Sequence, residues 1–118
     1  MARILVIDDA PDLAMVMRML LERAGHEVIT AENGRRGLRR FFEDRPDLVV
    51  LDLQMPGLDG WETLERLRDL SEVPVLIHSG HAPSADELSR LRPGRDAFKP
   101  KPTWGNELTE LVDDLLAA

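Results

Sequence analysis

Five short runs of β-favouring residues alternate with longer stretches whose apolar residues recur at helical spacing, and this alternation leaves few folds open. The first run, residues 3–7, is Arg-Ile-Leu-Val-Ile and stops at Asp8 and Asp9. Over residues 12–24, Leu13, Val16, Met17, Leu20, Leu21 and Ala24 fall on one helical face, and Gly25 ends the helix. Residues 27–31 read as a second, more polar strand. Residues 32–45 read as a second helix, with Leu38, Phe41 and Phe42 on one side and Pro46 closing it. Residues 48–51 are apolar throughout and end at Asp52. A turn-rich loop over residues 55–60 leads to a third helix, residues 61–70. Residues 73–77 predict a fourth strand, which ends near Ser79 and Gly80. A weaker helix spans residues 84–91, and Pro93 and Gly94 break it. Residues 96–99 predict the fifth strand. Residues 104–116 carry Leu108, Leu111, Val112, Leu115 and Leu116 at helical spacing.

A strand–helix unit repeated five times predicts an α/β fold, a parallel sheet with helices on both faces. Strands one, three and four are the most apolar and belong in the centre; the more polar strands two and five belong at the edges. With right-handed crossovers this gives a doubly wound sheet in the order 2-1-3-4-5. The 118 residues suit one domain, residues 1–118, with no internal boundary and no output domain expected after the fifth helix. Hydrophobic residues make up 43% and aromatics only 4%, so the core is aliphatic.

Fifteen basic residues stand against 22 acidic ones, a net charge of -7, which argues against direct nucleic-acid binding. The absence of cysteine excludes a disulfide framework and thiolate metal sites and fits a reducing cytoplasm. No apolar run reaches the length of a membrane span, and the first residues do not form a secretory leader.

Open α/β sheets bind ligands at the carboxyl ends of their strands, where strand order reverses. That edge receives Asp8 and Asp9 from strand one, Asp52 from strand three, Ser79 from strand four and Lys101 from just beyond strand five. Taken singly these residues have plain readings: Asp8 and Asp9 as a helix cap, Asp52 as a turn, Lys101 as a surface lysine. Together, three carboxylates in one pocket require protonation or a cation, and all-oxygen ligands favour Mg²⁺. An aspartate beside such an ion can attack phosphorus, with a hydroxyl and an ammonium stabilising the transferred group. Lys99 and Lys101 are the only lysines among the fifteen basic residues, so a lysine here looks selected for its compact charge.

Four segments in order now resemble a known family: residues 4–9, residues 51–60, residues 74–80 and residues 94–102. The sequence resembles the receiver domain of two-component response regulators, including chemotaxis regulators, from Arg3 to Leu116. The resemblance implies a flavodoxin-like (βα)5 fold and a cytoplasmic signalling phosphoprotein. It implies that Asp52 accepts a phosphoryl group from a histidine kinase or a histidine phosphotransfer protein. It implies that Asp8, Asp9, Asp52 and the Gln54 main-chain carbonyl hold Mg²⁺, with Mn²⁺ as a substitute. Ser79 and Lys101 would contact the phosphoryl group, and Ser79 and Phe98 would form a switch acting on the surface of helix four, strand five and helix five. The Lys101–Pro102 bond is expected to be cis. Family spacing selects Lys101 over Lys99, which is left as a solvated residue.

Some positions depart from the family pattern. The segment between Asp52 and Ser79 is about three residues short, near Ser71 and Glu72, by comparison with the family's usual spacing. Serine stands at 79 where threonine is commoner, Gly80 replaces alanine, and Thr103 and Trp104 replace a phenylalanine. Gln54 and His81 occupy positions that tune dephosphorylation in the family, and His26, His78 and His81 are expected to be structural. A haloacid-dehalogenase-type phosphatase needs an acid where Gln54 stands, and a nucleotide-binding domain needs a glycine-rich loop where Asp8 and Asp9 stand. The remaining alternative is a phosphorylation-independent receiver-like interaction module. The fifth helix carries Glu107, Glu110, Asp113 and Asp114 without a basic residue, which disfavours the dimer common among winged-helix regulators and predicts a monomer when unphosphorylated.

Overall fold

A computed structural model describes residues 2–55, 59–80, 83–101 and 106–117. The chain runs β1 (Arg3–Ile7), α1 (Pro11–Arg23), β2 (Glu27–Ala31), α2 (Gly34–Asp44), β3 (Leu48–Leu51), α3 (Gly60–Leu70), β4 (Val75–Ser79), α4 (Ala85–Leu88), β5 (Asp96–Pro100) and α5 (Asn106–Ala117). The five strands form one sheet in the order β2-β1-β3-β4-β5, and every pairing is parallel, as the alternation predicts.

Local chemistry sets the helix starts. Pro11 opens α1, where its fixed φ suits the first turn and its missing N–H costs nothing. Asn33 caps α2 by accepting from the Arg36 N–H at 2.9 Å, so that helix begins at residue 34 rather than 32. Asp59 caps α3 through the Glu62 N–H at 2.9 Å, which draws Gly60 into the helix. Ser84 and Glu87 form a reciprocal capping box at α4, yet only residues 85–88 are α-helical and none is buried. The expected helix over residues 84–91 is therefore shorter. Residues 89–91 continue in turns, with the Leu91 N–H bonded to the Leu88 carbonyl. The expected starts of the fifth helix at Trp104 and of the cis bond at Pro102 lie outside the described residues.

β4 starts two residues later than its hydropathy suggests. Pro74 has no N–H for the ladder, and its carbonyl instead receives the Val49 N–H at 3.0 Å. The strand then runs to Ser79, which pairs with Pro100 and extends β5 by one residue beyond the expected range.

Two aliphatic cores sandwich the sheet. Leu5 and Ile7 of β1 pack with Phe41 of α2 and Leu64 and Leu67 of α3, while Ile4 and Val6 pack with Met17 and Leu21 of α1 and Leu108 and Val112 of α5. Each such buried side chain contributes about 1.5–3 kcal/mol relative to exposure. Central strands covered on both faces favour apolar residues on both sides, which is why Ile4 to Ile7 of β1 and Leu48 to Leu51 of β3 read as unbroken runs. A buried ion pair between Arg68 and Asp96 ties the end of α3 to the start of β5; Arg68 also donates to the Val73 carbonyl at 2.6 Å. Among the described residues, no helix is long and apolar enough to cross a membrane.

Candidate functional site

The site begins with strand register. Ile7 of β1 pairs with Leu51 of β3, so the next residues, Asp8 and Asp52, leave adjacent strands side by side. The ladder extends one step further: the Asp52 N–H donates to the Ile7 carbonyl and the Asp8 N–H to the Ala31 carbonyl, both at 3.0 Å. Both aspartates are 4% exposed, whereas Asp9, one residue further on, is exposed. Carboxylate oxygens of Asp8, Asp9 and Asp52 lie within 4.8 Å of one another.

Local N–H groups orient the buried pair. Asp8 Oδ1 accepts from the Ala10 N–H at 2.9 Å and Asp52 Oδ1 from the Gln54 N–H at 3.2 Å. Each contact is a short Asx turn that leaves the second oxygen facing the pocket. Lys101 reaches both of those oxygens. Its Nζ is 2.8 Å from Asp8 Oδ2 and 3.3 Å from Asp52 Oδ2. Its own N–H is bonded to the Ser79 carbonyl at 2.9 Å, which moors it to the end of β4 and puts the buried Ser79 beside it.

Burial raises the Asp52 pKa, and the neighbouring Asp8 charge adds to the rise; the Gln54 N–H and the Lys101 ammonium oppose it without cancelling it. Burial alone would lower the Lys101 pKa, but the Asp8 carboxylate and then Asp52 outweigh it, so the ammonium is held more firmly than in water. His78, fully buried on β4, is pushed down to about 4 by burial and by the Lys101 charge, with Asp8 acting against. Phe98 pairs with Ile77 across β4 and β5 and packs partly buried against the core on the α3 face.

The structure thus gathers Asp8, Asp9, Asp52, Ser79 and Lys101 at one sheet edge, with Gln54 beside Asp52. Lys99 is not merely solvated: its Nζ pairs with Glu107 at 3.2 Å and links β5 to α5. His26 accepts the Ala2 N–H on Nδ1 at 3.2 Å and turns Nε2 toward Asp113 at 3.5 Å, at the opposite end of the strands from Asp8 and Asp52. His81, Thr103 and Trp104 lie outside the described residues. Gly60 carries no signal in the sequence reading, and His78, expected to be structural, takes a buried place next to the site. A Cβ on Gly60 would overlap the Leu53 Cα and the Asp52 carbonyl, so this glycine permits the close approach that shapes the loop after β3. His78 supplies a buried imidazole under the site; its signal was a polar residue interrupting an apolar strand.

Comparison with known proteins gives a consistent answer. The family description "Response regulator receiver domain" matches residues 4–113. The chain is similar to Protein PilH of Pseudomonas aeruginosa, with 33% identity over 120 residues that span 99% of each chain. It is similar to Transcriptional regulatory protein AfsQ1 of Streptomyces coelicolor, with 35% identity over 98% of this chain and 52% of that protein. The chain spans about half the length of AfsQ1 and of the other transcriptional regulators it matches. Among solved structures it resembles response regulator protein TrrA of Thermotoga maritima, in complex with Mg(2+)-BeF, at 34% identity and a TM-score of 0.86, covering 98% of this chain and 99% of that one.

Proposed function

The chain belongs to the response regulator receiver domains, the signalling domains of two-component systems, and from that premise we propose that it is a Mg²⁺-dependent phosphoacceptor charged on Asp52. The observation that carries this reading is the buried Asp52 carboxylate, with one oxygen held by the Gln54 N–H and the other shared with Lys101. The TrrA complex with Mg(2+)-BeF supports it by likeness.

The donor set fits the metal. Three carboxylates with oxygens within 4.8 Å form a hard, all-oxygen site whose mutual repulsion a divalent cation relieves. Asp8, Asp9 and Asp52 would hold Mg²⁺, with the Gln54 main-chain carbonyl, and Mn²⁺ suits the same oxygens. When bound, the ion would neutralise the carboxylates and withdraw charge from the phosphoryl oxygens.

Asp52 would attack the phosphorus of a phosphohistidine on a histidine kinase or histidine phosphotransfer protein. A P–O bond forms, the P–N bond breaks, and the histidine nitrogen leaves with the electron pair and takes up a proton. Lys101 would release Asp8 and Asp52 and turn its ammonium to the equatorial oxygens, where negative charge collects. The Ser79 hydroxyl would move to the same group, and Phe98 would follow inward from β5. That movement would reshape the surface of α4, β5 and α5 for a downstream protein partner. In this reading the chain is one domain over residues 1–118, cytoplasmic, monomeric when unphosphorylated, and without direct contact to nucleic acid or membrane.

The test is intact-mass analysis after incubation with acetyl phosphate, with and without Mg²⁺, on wild type and Asp52→Asn. The expected result is one phosphoryl adduct on wild type only, dependent on Mg²⁺ and labile to hydroxylamine. No adduct under any condition would overturn this reading in favour of a phosphorylation-independent interaction module.

A further inference from the structure

On the β2 side of the fold, α2 concentrates positive charge on a chain whose net charge is -7: Arg35, Arg36, Arg39 and Arg40 fall within six positions. Arg36, Arg39 and Arg40 line a groove of about 760 Å³ that runs along the β2 edge of the sheet between α1 and α2. Arg18 faces them from α1, and Pro11, Ala14, Met15 and Ala31 supply an apolar lining. Met15 is 63% exposed, an unbranched and adaptable side chain in open water.

The existing ion pairs do not close this groove. Arg18 pairs with Glu22 at 3.5 Å, Arg36 with Glu32 at 3.0 Å and Arg40 with Asp44 at 3.5 Å, each four residues along and none across the groove. Such exposed pairs are weak and exchange readily. Arg39 has no ion pair among the described residues. The groove therefore offers planar guanidinium forks suited to carboxylates, above an apolar lining.

We propose that this groove docks an acidic segment of a partner protein, one with apolar side chains set among its carboxylates. A polynucleotide fits poorly. Among the described residues no aromatic side chain lines it for base stacking, and its apolar lining of Pro11, Ala14, Met15 and Ala31 has no counterpart in a sugar-phosphate backbone, whereas apolar side chains of a peptide fit it. A second copy of this chain fits poorly too. Its acidic helix, α5, has Leu108, Val112 and Leu115 committed to the core and cannot present them to the groove. This surface is separate from the α4-β5-α5 face and meets the carboxylate cluster only at Asp8, and the proposal does not depend on the phosphoacceptor reading.

The test uses the full chain and a fluorescein-labelled peptide of about twelve residues repeating Glu-Leu-Asp-Glu, with a control peptide in which lysine replaces each acid. Binding is read by anisotropy and located by amide shifts in NMR spectra. The acidic peptide is expected to bind and to shift Ala14, Met15, Arg39 and Arg40, while the control does not. Arg36→Glu combined with Arg39→Glu is expected to weaken binding roughly tenfold or more, as like charges now meet. Met15→Glu is expected to weaken it as well, with phosphoryl labelling of Asp52 unchanged in all variants. No binding, shifts elsewhere, or unaltered binding to the variants would overturn the proposal. Tighter binding of a single-stranded oligonucleotide or of phosphatidylserine vesicles to this face would overturn the choice of an acidic protein.

Discussion

Lys101 Nζ stands 2.8 Å from Asp8 Oδ2, and the same ammonium also reaches Asp52, so one side chain serves as counter-ion to two buried carboxylates. Removing it leaves those charges without their cation, which in a buried setting is costly. Lys101→Ala is expected to lower the stability of the metal-free protein by about 3 kcal/mol. Saturating MgCl2 should recover most of that loss, and urea unfolding with and without Mg²⁺ measures both. A loss that Mg²⁺ does not recover would contradict a shared cation position. Lys101→Arg keeps the charge, but its longer planar head does not fit between the two oxygens, and slower labelling by acetyl phosphate is expected.

Asp9 differs from Asp8 and Asp52 in being exposed. Its removal should leave folding alone and weaken metal binding. Asp9→Ala is expected to lower Mg²⁺ affinity roughly tenfold or more, because ligand charge sets cation affinity. Its unfolding free energy should stay within about 0.5 kcal/mol of wild type, as for other surface changes. Calorimetric titration with MgCl2 beside a urea curve separates the two effects.

Gly60 opens a helix, where alanine would ordinarily stabilise by about 1 kcal/mol. Here the added Cβ would meet backbone at Leu53 and Asp52, and backbone does not yield as a flexible side chain does. Gly60→Ala is therefore expected to cost about 1–3 kcal/mol and to slow labelling of Asp52. A stabilised variant would show that the loop after β3 moves aside freely.

His78 makes stability depend on pH. Its folded pKa of about 4 lies below the value of about 6.5 it takes when unfolded. Between those values the unfolded chain binds more protons, so stability falls as pH drops through that window and is recovered above it. The gap amounts to roughly 3 kcal/mol by pH 4. Urea curves from pH 7 to pH 4 should be shallower in their pH dependence for His78→Leu than for wild type, and parallel slopes would count against it.

The residues most legible in the sequence are those whose surroundings are uniform. Ile4 to Ile7 of β1 and all of β3 are apolar because both faces are covered there, and their ends are visible because Asp8 and Asp52 interrupt them abruptly. The edge strands and the strand order follow from the same contrast. Spacing against the family selected Lys101 over Lys99, and the ion pairs place Lys101 beside the carboxylates and Lys99 beside Glu107. Features that depend on three-dimensional depth were less visible. Val73 has the hydropathy of a strand residue, but Pro74 delays the ladder. α4 has cap signals as good as any helix here, yet it buries nothing that would extend it. The requirement for glycine at 60 lies in a backbone approach that no local pattern announces.

β3 is apolar on both faces, so hydrophobic patterning does not distinguish its observed register against β1 from a shift of one residue. Its charged ends do. Asp47 accepts the Arg3 N–H at 2.8 Å at one end, and Asp52 meets the pocket at the other. Sliding the strand either way would draw one of these carboxylates into the aliphatic sheet, at a cost of several kcal/mol. Asp52 therefore also acts as a stop that tells the strand where to halt. A bulky apolar residue at this position would remove that stop and leave the chain free to assemble out of step, an error that an asparagine there would still prevent.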